Sequence, residues 1–198
     1  MRRITSVFSF LGAGDFHERN IRVQAALEPS GSLGDLGWYC LRFSLWVMRW
    51  QLPRRVTGRI LAGGTGSAPL DFSGELFFGD GVSAAFHCSF LAMNQQWASV
   101  SGANGYIRVP DFVLPYSEND VAWEVNYKRV SKAETGLNLG TPTTATSQEA
   151  LMFRNFANQI RSGTLNDEWP ESALKTQQVA DACFASARTD GKMVDVEQ

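Results

Sequence analysis

The sequence predicts an α+β fold: one open, mostly antiparallel sheet with helices packed on a single face. Two observations predict it. Residues 56–130 are short β-rich runs separated by tight turns, which is the pattern of hairpins and not of helical crossovers. Residues 36–47 and 152–188 carry apolar side chains at helical spacing instead.

In chain order, Ile4-Thr-Ser-Val-Phe-Ser-Phe10 reads as a strand. Met1-Arg2-Arg3 ahead of it has the outline of a secretory leader. However, Thr5, Ser6 and Ser9 interrupt the apolar run and no small-x-small site follows, so the strand is the expectation. Gly12-Ala13-Gly14 after that strand invites a dinucleotide-binding reading. It fails because His17 stands where a third glycine belongs and no helix of the required pattern follows. Gly63-Gly64-Thr65-Gly66 fails in the same way, lying between two strands. No cofactor site is expected in this chain.

Gly31, Gly34 and Gly37 open a turn that becomes a strongly apolar helix ending near Trp50, with Asp35 placed as an N-cap or first-turn carboxylate. Strands follow at Val56–Leu61, Leu70–Phe78, Val82–Leu91, Trp97–Ser101, Tyr106–Val109 and Val121–Val130. Gly79-Asp80-Gly81 and Gly102–Gly105 supply hairpin turns. Residues 132–145 are polar and rich in Thr and Gly, as in a loop. Thr146-Ser-Gln-Glu149 is a capping box for a helix with Met152, Phe156 and Ile160 on one stripe, and Gly163 ends it. Pro170 at N1 opens a last helix running to about Arg188. Gly191 follows, and Lys192–Val196 is a short closing strand. There is no internal repeat, and residues 1–198 read as a single domain without a dinucleotide-binding domain. Leu36, Phe43, Phe156 and Ile160 are expected to be buried under the helical face of the sheet.

Composition narrows the function. A net charge of -2 gives no basic field for nucleic acid. No apolar run is long enough to span a membrane. Three widely spaced cysteines, Cys40, Cys88 and Cys183, fit a reducing, cytoplasmic compartment better than a disulfide framework. The two histidines, His17 and His87, have no metal-ligand spacing, and no Gly-x-Ser-x-Gly elbow occurs. Trp97 and Trp169 read as core or rim aromatics, or as walls of a sugar-sized pocket.

Within the first long helix, Asp35, Tyr39, Arg42 and Trp46 share one face, with Leu36, Cys40, Phe43 and Val47 on an apolar stripe beside it. An acid, a phenol and a guanidinium are thus presented together. Plainer readings exist for each: a cap for Asp35, a packed and hydrogen-bonded core residue for Tyr39, an ion pair for Arg42.

Gly31-Ser-Leu-Gly-Asp35-Leu-Gly37-Trp-Tyr39 resembles the motif that opens the C-terminal domain of the glucose–fructose oxidoreductase, inositol dehydrogenase and MocA family of NAD(P)-dependent enzymes. It is most like the branch carrying tyrosine in place of histidine. Val82–Phe90 with Trp97, Ser101-Gly102-Ala-Asn-Gly105-Tyr-Ile-Arg-Val, Gln148-Glu149-x-x-Met152-x-x-x-Phe156 and Trp169-Pro-Glu-x-Ala-Leu-Lys175 are similar to that domain in the same order. The resemblance implies a dihydrodipicolinate-reductase-like C-terminal domain. It implies that Tyr39, jointly with Asp35, exchanges the proton of a substrate hydroxyl or carbonyl, and that Arg22 lies near the pocket, against the plainer reading of a solvated or structural arginine. Arg42 is a substrate-binding candidate because it shares the Tyr39 face. NAD(P) is implied for the full-length family, together with a lysine from a Glu-Lys-Pro motif, which does not occur here.

The expected function is therefore a substrate-binding and oligomerisation domain for a sugar or polyol, inactive alone without a Rossmann-domain partner. A truncated gene product and half of a split enzyme with a separate Rossmann-domain subunit are both open. The alternative is a non-enzymatic module that keeps the fold for assembly or ligand binding. A weaker third is unrelated chemistry on the same sheet. With the helices on one side, the other sheet face is open. Alternation is expected to send some of Phe72, Phe77, Phe78, Phe86, Phe90 and Trp123 there, so a homo-oligomer through that face is expected, as a two-fold dimer or a pair of dimers; the alternative is a monomer whose residues 132–145 fold over it.

Overall fold

The computed structural model describes residues 1–63, 68–114, 122–131 and 148–196. These form a nine-stranded open sheet. Its strands are β1 (Arg3–Ser9), β2 (Arg55–Gly63), β3 (Pro69–Phe77), β4 (Ser83–Ser89), β5 (Gln95–Gly102), β6 (Gly105–Val109), β7 (Ala122–Val125), β8 (Lys128–Ser131) and β9 (Val194–Asp195). The order is β8-β7-β6-β5-β1-β4-β3-β2-β9. All pairs are antiparallel except β1 with β4, where Ile4 lies beside Ala84 and Phe8 beside Cys88. The first strand of the chain is thus the middle of the sheet.

A short helix α1 (Phe16–Arg19) and a single 3-10 turn (Ile21–Val23) follow β1. Next come a π turn (Leu33–Gly37) running into α2 (Trp38–Val47), then α3 (Gln148–Ser162) and α4 (Glu168–Arg188). The final helix begins two residues before Pro170 instead of at it. The capping box expected from Thr146 begins outside the described residues, as do the polar stretch 132–145 and Gly64–Gly66.

Strand alternation assigns the two faces. Ile4, Phe72, Leu76, Ala84, Phe86 and Cys88 point to the helices and are buried against Leu33, Leu36, Leu41, Leu45 and Val179. The helix α4 comes so close to β2 that a Cβ on Gly58 would lie 2.2 Å from the Cys183 carbonyl oxygen, so only glycine fits there. The Gly58 N–H donates to the Ser186 hydroxyl at 2.9 Å, which in turn donates to the Lys192 carbonyl at 2.5 Å. The three cysteines are all buried and unbridged. Two buried serine hydroxyls, Ser6 and Ser32, have no nitrogen or oxygen partner and lie against the Cys40 and Cys88 thiols.

Three expectations need correction. Leu36 is buried and Phe43 half-buried, but Phe156 is 59% exposed and Ile160 67% exposed. Helix α3 does not pack on the sheet, and its apolar stripe, with Met152 and Phe153, faces outward. Residues 122–131 form a hairpin and not one strand, because Asn126 and Tyr127 both adopt left-handed backbone conformations and reverse the chain. Asn126 Oδ1 accepts the Tyr106 N–H at 2.8 Å and fixes that turn.

The third concerns the open face. Phe72, Phe78, Phe86 and Phe90 are buried in the core, and Trp123 lies on the helix side beside Val109 and Phe43. By alternation, the face opposite the helices carries Thr5, Val7, Ser73, Ala85 and Ser99, with Phe77 as the remaining aromatic of the six. It also carries two cross-strand pairs, Arg3 with Glu75 and His87 with Asp71, the latter at 2.7 Å. With Trp97 beside Val7 and Tyr106 beside Ser101, it mixes small side chains, paired charges and a few aromatics, so the expected aromatic surface is only partly there.

Candidate functional site

The site is built by the chain entering α2. Gly31 has φ of 50° and stands so close to Pro69 that a Cβ would meet its carbonyl oxygen at 2.1 Å, so glycine is required on both counts. Helical hydrogen bonding starts there, four residues before Asp35. Asp35 therefore caps nothing. It lies inside the π turn Leu33–Gly37, an i→i+5 insertion of the kind that recurs at functional sites. The Asp35 carboxylate is taken by Arg22, Nε to Oδ2 at 2.9 Å. Arg22 is brought within reach by the 3-10 turn, whose Asn20 side chain accepts the Arg22 N–H at 3.0 Å.

Tyr39 begins the regular part of α2. Its ring meets Phe8 of β1 edge-on at 5.5 Å, and the residue is 45% exposed. No described residue hydrogen-bonds its hydroxyl. Among the described residues, the plainer picture of a packed tyrosine with a bonded hydroxyl does not describe it.

Arg42 faces elsewhere. Its Nη2 donates to the Ser172 hydroxyl of α4 at 3.1 Å, and the guanidinium lies over the Trp50 ring, 5.1 Å from its centre. Trp50 is held in turn by Glu168, which accepts its indole N–H at 3.2 Å. A cavity of about 300 Å³ is lined by Tyr39, Arg42, Phe43, Trp46, Trp50 and Phe112. On the other side of Arg42 a larger apolar cavity of about 660 Å³ is walled by Trp169 and the exposed stripe of α3. The structure thus joins Arg22 to Asp35 and places Tyr39 with Arg42 at one cavity.

Sequence reasoning placed Trp46 on the Tyr39 face but missed Trp50 and Phe112, which complete the aromatic wall. The density of tryptophan between residues 38 and 50 was the available signal. A second polar cleft lies at the end of β1, with Phe8, Asn94, Gln96, Arg108 and Asp111 in its lining and Arg108 over the Trp97 ring. Trp97 is therefore a pocket wall, and so is Trp169.

The residues after β1 do not fit a dinucleotide. Gly12 and Gly14 lead into the four-residue helix α1, and the one parallel neighbour of β1 is β4, reached only after α2 and the β2–β3 hairpin and not by a single strand–helix–strand unit. Among the described residues there is no cluster of His, Cys, Asp and Glu fit to hold a metal. No described helix is long and apolar enough to cross a membrane.

An open mixed sheet with this helix at its head is the fold of one part of several solved oxidoreductases. Aldose–aldose oxidoreductase from Caulobacter crescentus, solved with glycerol, superposes with a TM-score of 0.77 at 18% identity, covering 98% of this chain and 55% of that one. Levoglucosan dehydrogenase in complex with NADH gives 0.73 at 15% identity, over 100% of this chain and 59% of that one. GenD2 from gentamicin A biosynthesis, in complex with NAD, gives 0.74 at 18% identity, over 100% and 56%. This chain spans somewhat more than half the length of these proteins. The model of the GFO/IDH/MocA C-terminal domain matches residues 1–108, and the chain belongs to that family.

Proposed function

We propose that this chain is the substrate-binding and oligomerisation domain of an NAD(P)-dependent oxidoreductase acting on sugars or related polyols. The observation that carries the reading is the exposed Tyr39 phenol, on the helix whose preceding turn holds Asp35 against Arg22. In this reading Tyr39 gives or takes the proton of the substrate hydroxyl or carbonyl, Asp35 binds or polarises that hydroxyl, and Arg22 fixes the carboxylate. A phenol does this work near neutrality only beside a cation. The cofactor and that cation would come from a dinucleotide-binding unit outside these residues, and the chain alone would be inactive. Sugar-type substrates are supported by the relatives, one of which was solved with glycerol and another with levoglucosan. The three buried, unbridged thiols support a reducing, cytoplasmic compartment.

Self-association through the open sheet face is part of the same proposal. A two-fold dimer there would bury the small side chains of β1, β3, β4 and β5 against their copies. The exposed stripe of α3 favours one other reading, a module kept for assembly alone.

Calorimetry and ligand-observed NMR on the 198-residue chain test the proposal. NADH and NADPH should give no saturable heat, while levoglucosan or glucose should show contact with Tyr39. Micromolar cofactor affinity would overturn the assignment of the cofactor to another unit. Absence of any sugar or polyol binding would leave the assembly module.

A further inference from the structure

The guanidinium of Arg42 is held in place more firmly than an ordinary surface arginine. The Ser172 hydroxyl takes one of its N–H groups, and that serine in turn donates to the Trp169 carbonyl at 3.0 Å. The Trp50 ring supports its face. That ring is oriented by Glu168 and by the left-handed conformation of both Arg49 and Trp50, with φ of 54° and 62°. Consecutive left-handed residues with side chains are costly and persist where surrounding structure enforces them.

Among the described residues this held charge has no counter-ion. No carboxylate of the described residues lies within ion-pair distance of Arg42, and neither cavity that it lines has an acidic residue in its wall. A guanidinium has five N–H donors, and Ser172 uses one. The fork that remains matches a carboxylate, which it binds in a bidentate, charge-assisted way. The same cavity contains the Tyr39 phenol, with aromatic rings for the apolar C–H face of a ligand. Its volume, about 300 Å³, suits one six-carbon ligand.

We propose that Arg42 forms a carboxylate subsite beside Tyr39, so that the preferred ligand of this domain is a hydroxylated carboxylate, such as a sugar acid, and not a neutral polyol. This rests on the reading of the domain as a sugar or polyol binder and adds the charge of the ligand to it. Trp50, Glu168 and Ser172 are positioning residues that aim the guanidinium.

The test compares glucuronate with glucose, two probes of one ring size that differ in the carboxylate. Binding to the full chain is followed by NMR up to about 10 mM of each, the range of weak single-ligand sites. Glucuronate should bind at least about tenfold more tightly, and its advantage should shrink as sodium chloride is raised. In Arg42→Gln the preference should disappear, glucuronate binding no more tightly than glucose does to the same variant. In Arg42→Lys, which keeps charge but not the fork, it should fall to an intermediate value. Equal affinity for the two probes in the unaltered chain would overturn the subsite and leave the sugar-domain reading standing. Failure of both probes and of levoglucosan would overturn both. A glucuronate preference that survives in Arg42→Gln would place the carboxylate elsewhere and also overturn the proposal. The comparison in the unaltered chain does not depend on whether either variant folds.

Discussion

Arg22 takes the carboxylate of Asp35, Nε to Oδ2 at 2.9 Å, across the gap between the 3-10 turn and the π turn. The pair is partly open to solvent on both sides, so its net contribution to stability is small, about 0.2–1 kcal/mol. Asp35→Asn should therefore unfold in urea within about 1 kcal/mol of the unaltered chain. The same change should weaken ligand binding, which titration of both proteins with glucose or glucuronate would read. A loss of several kcal/mol in the urea midpoint would mean that Asp35 is structural first.

Tyr39→Phe removes a hydroxyl that no described residue bonds. Its folding stability should stay within about 0.5 kcal/mol of the original, as for a surface change. Once the chain is combined with a competent dinucleotide-binding unit, turnover should fall by about 10²–10⁴-fold, the usual worth of a proton-transfer group. Activity retained in the phenylalanine variant would remove Tyr39 from the chemistry.

Ser186→Ala tests the contact between α4 and β2. The hydroxyl accepts the buried Gly58 N–H and donates to the Lys192 carbonyl. The variant should lose about 1–3 kcal/mol, the cost of a buried amide left unpaired. Chemical denaturation with an unchanged slope would confirm the size.

Burial pushes the Cys40 thiol up to about 12, and pushes Cys88 and Cys183 up as well. Each folded-state value lies above that of an unfolded cysteine, near 8.5. The folded chain thus keeps its thiol protons where the unfolded chain loses them. Stability should be intact below about pH 8.5 and fall above it, by about 1.4 kcal/mol per thiol per pH unit, until the folded value is reached. Urea midpoints between about pH 8 and 10 would show the slope, and a thiol reagent should react only on unfolding. Rapid labelling of the native chain would contradict this.

Self-association through the open face makes a last prediction. Light scattering should give a multiple of 21.9 kDa. Ser99→Lys, placed on that face beside Thr5, should return it to one chain mass without loss of fold. A single-chain mass before mutation would refute the interface.

Much of the fold was legible because alternation is a local signal. Ile4, Ser6 and Phe8 against Thr5 and Val7 define a strand with two unlike faces, and the glycine turns mark where strands reverse. What periodicity does not carry is the identity of the covering layer. Met152, Phe156 and Ile160 make a correct helix stripe, yet all three stay more than half exposed, the stripe facing a cavity instead of the sheet. The same limit explains the aromatics. Phe72 and Phe86 share the helix side because strands β3 and β4 pair Phe72 with Cys88 and Gly74 with Phe86, a register that only the assembled sheet fixes. At the site, the order of residues showed Asp35 and Tyr39 on one helix. It did not show that helical bonding starts at Gly31 and widens into a π turn, which turned an expected cap into the partner of Arg22.

The central position of β1 has a consequence for how the chain is made. Arg3–Ser9 leaves the ribosome before either of its sheet neighbours, Ser83–Ser89 and Gln95–Gly102. For the time taken to synthesise the intervening residues, this segment has exposed backbone groups and no native strand to pair with. Its pairings close long loops, which slows folding and lengthens exposure to wrong partners. Strands β2 and β3 can form their hairpin early, but they cannot become a sheet around β1 until β4 arrives. The alternating serines and threonine of β1 keep the waiting strand from being a continuous apolar edge, and so act as a safeguard against aggregation during biosynthesis.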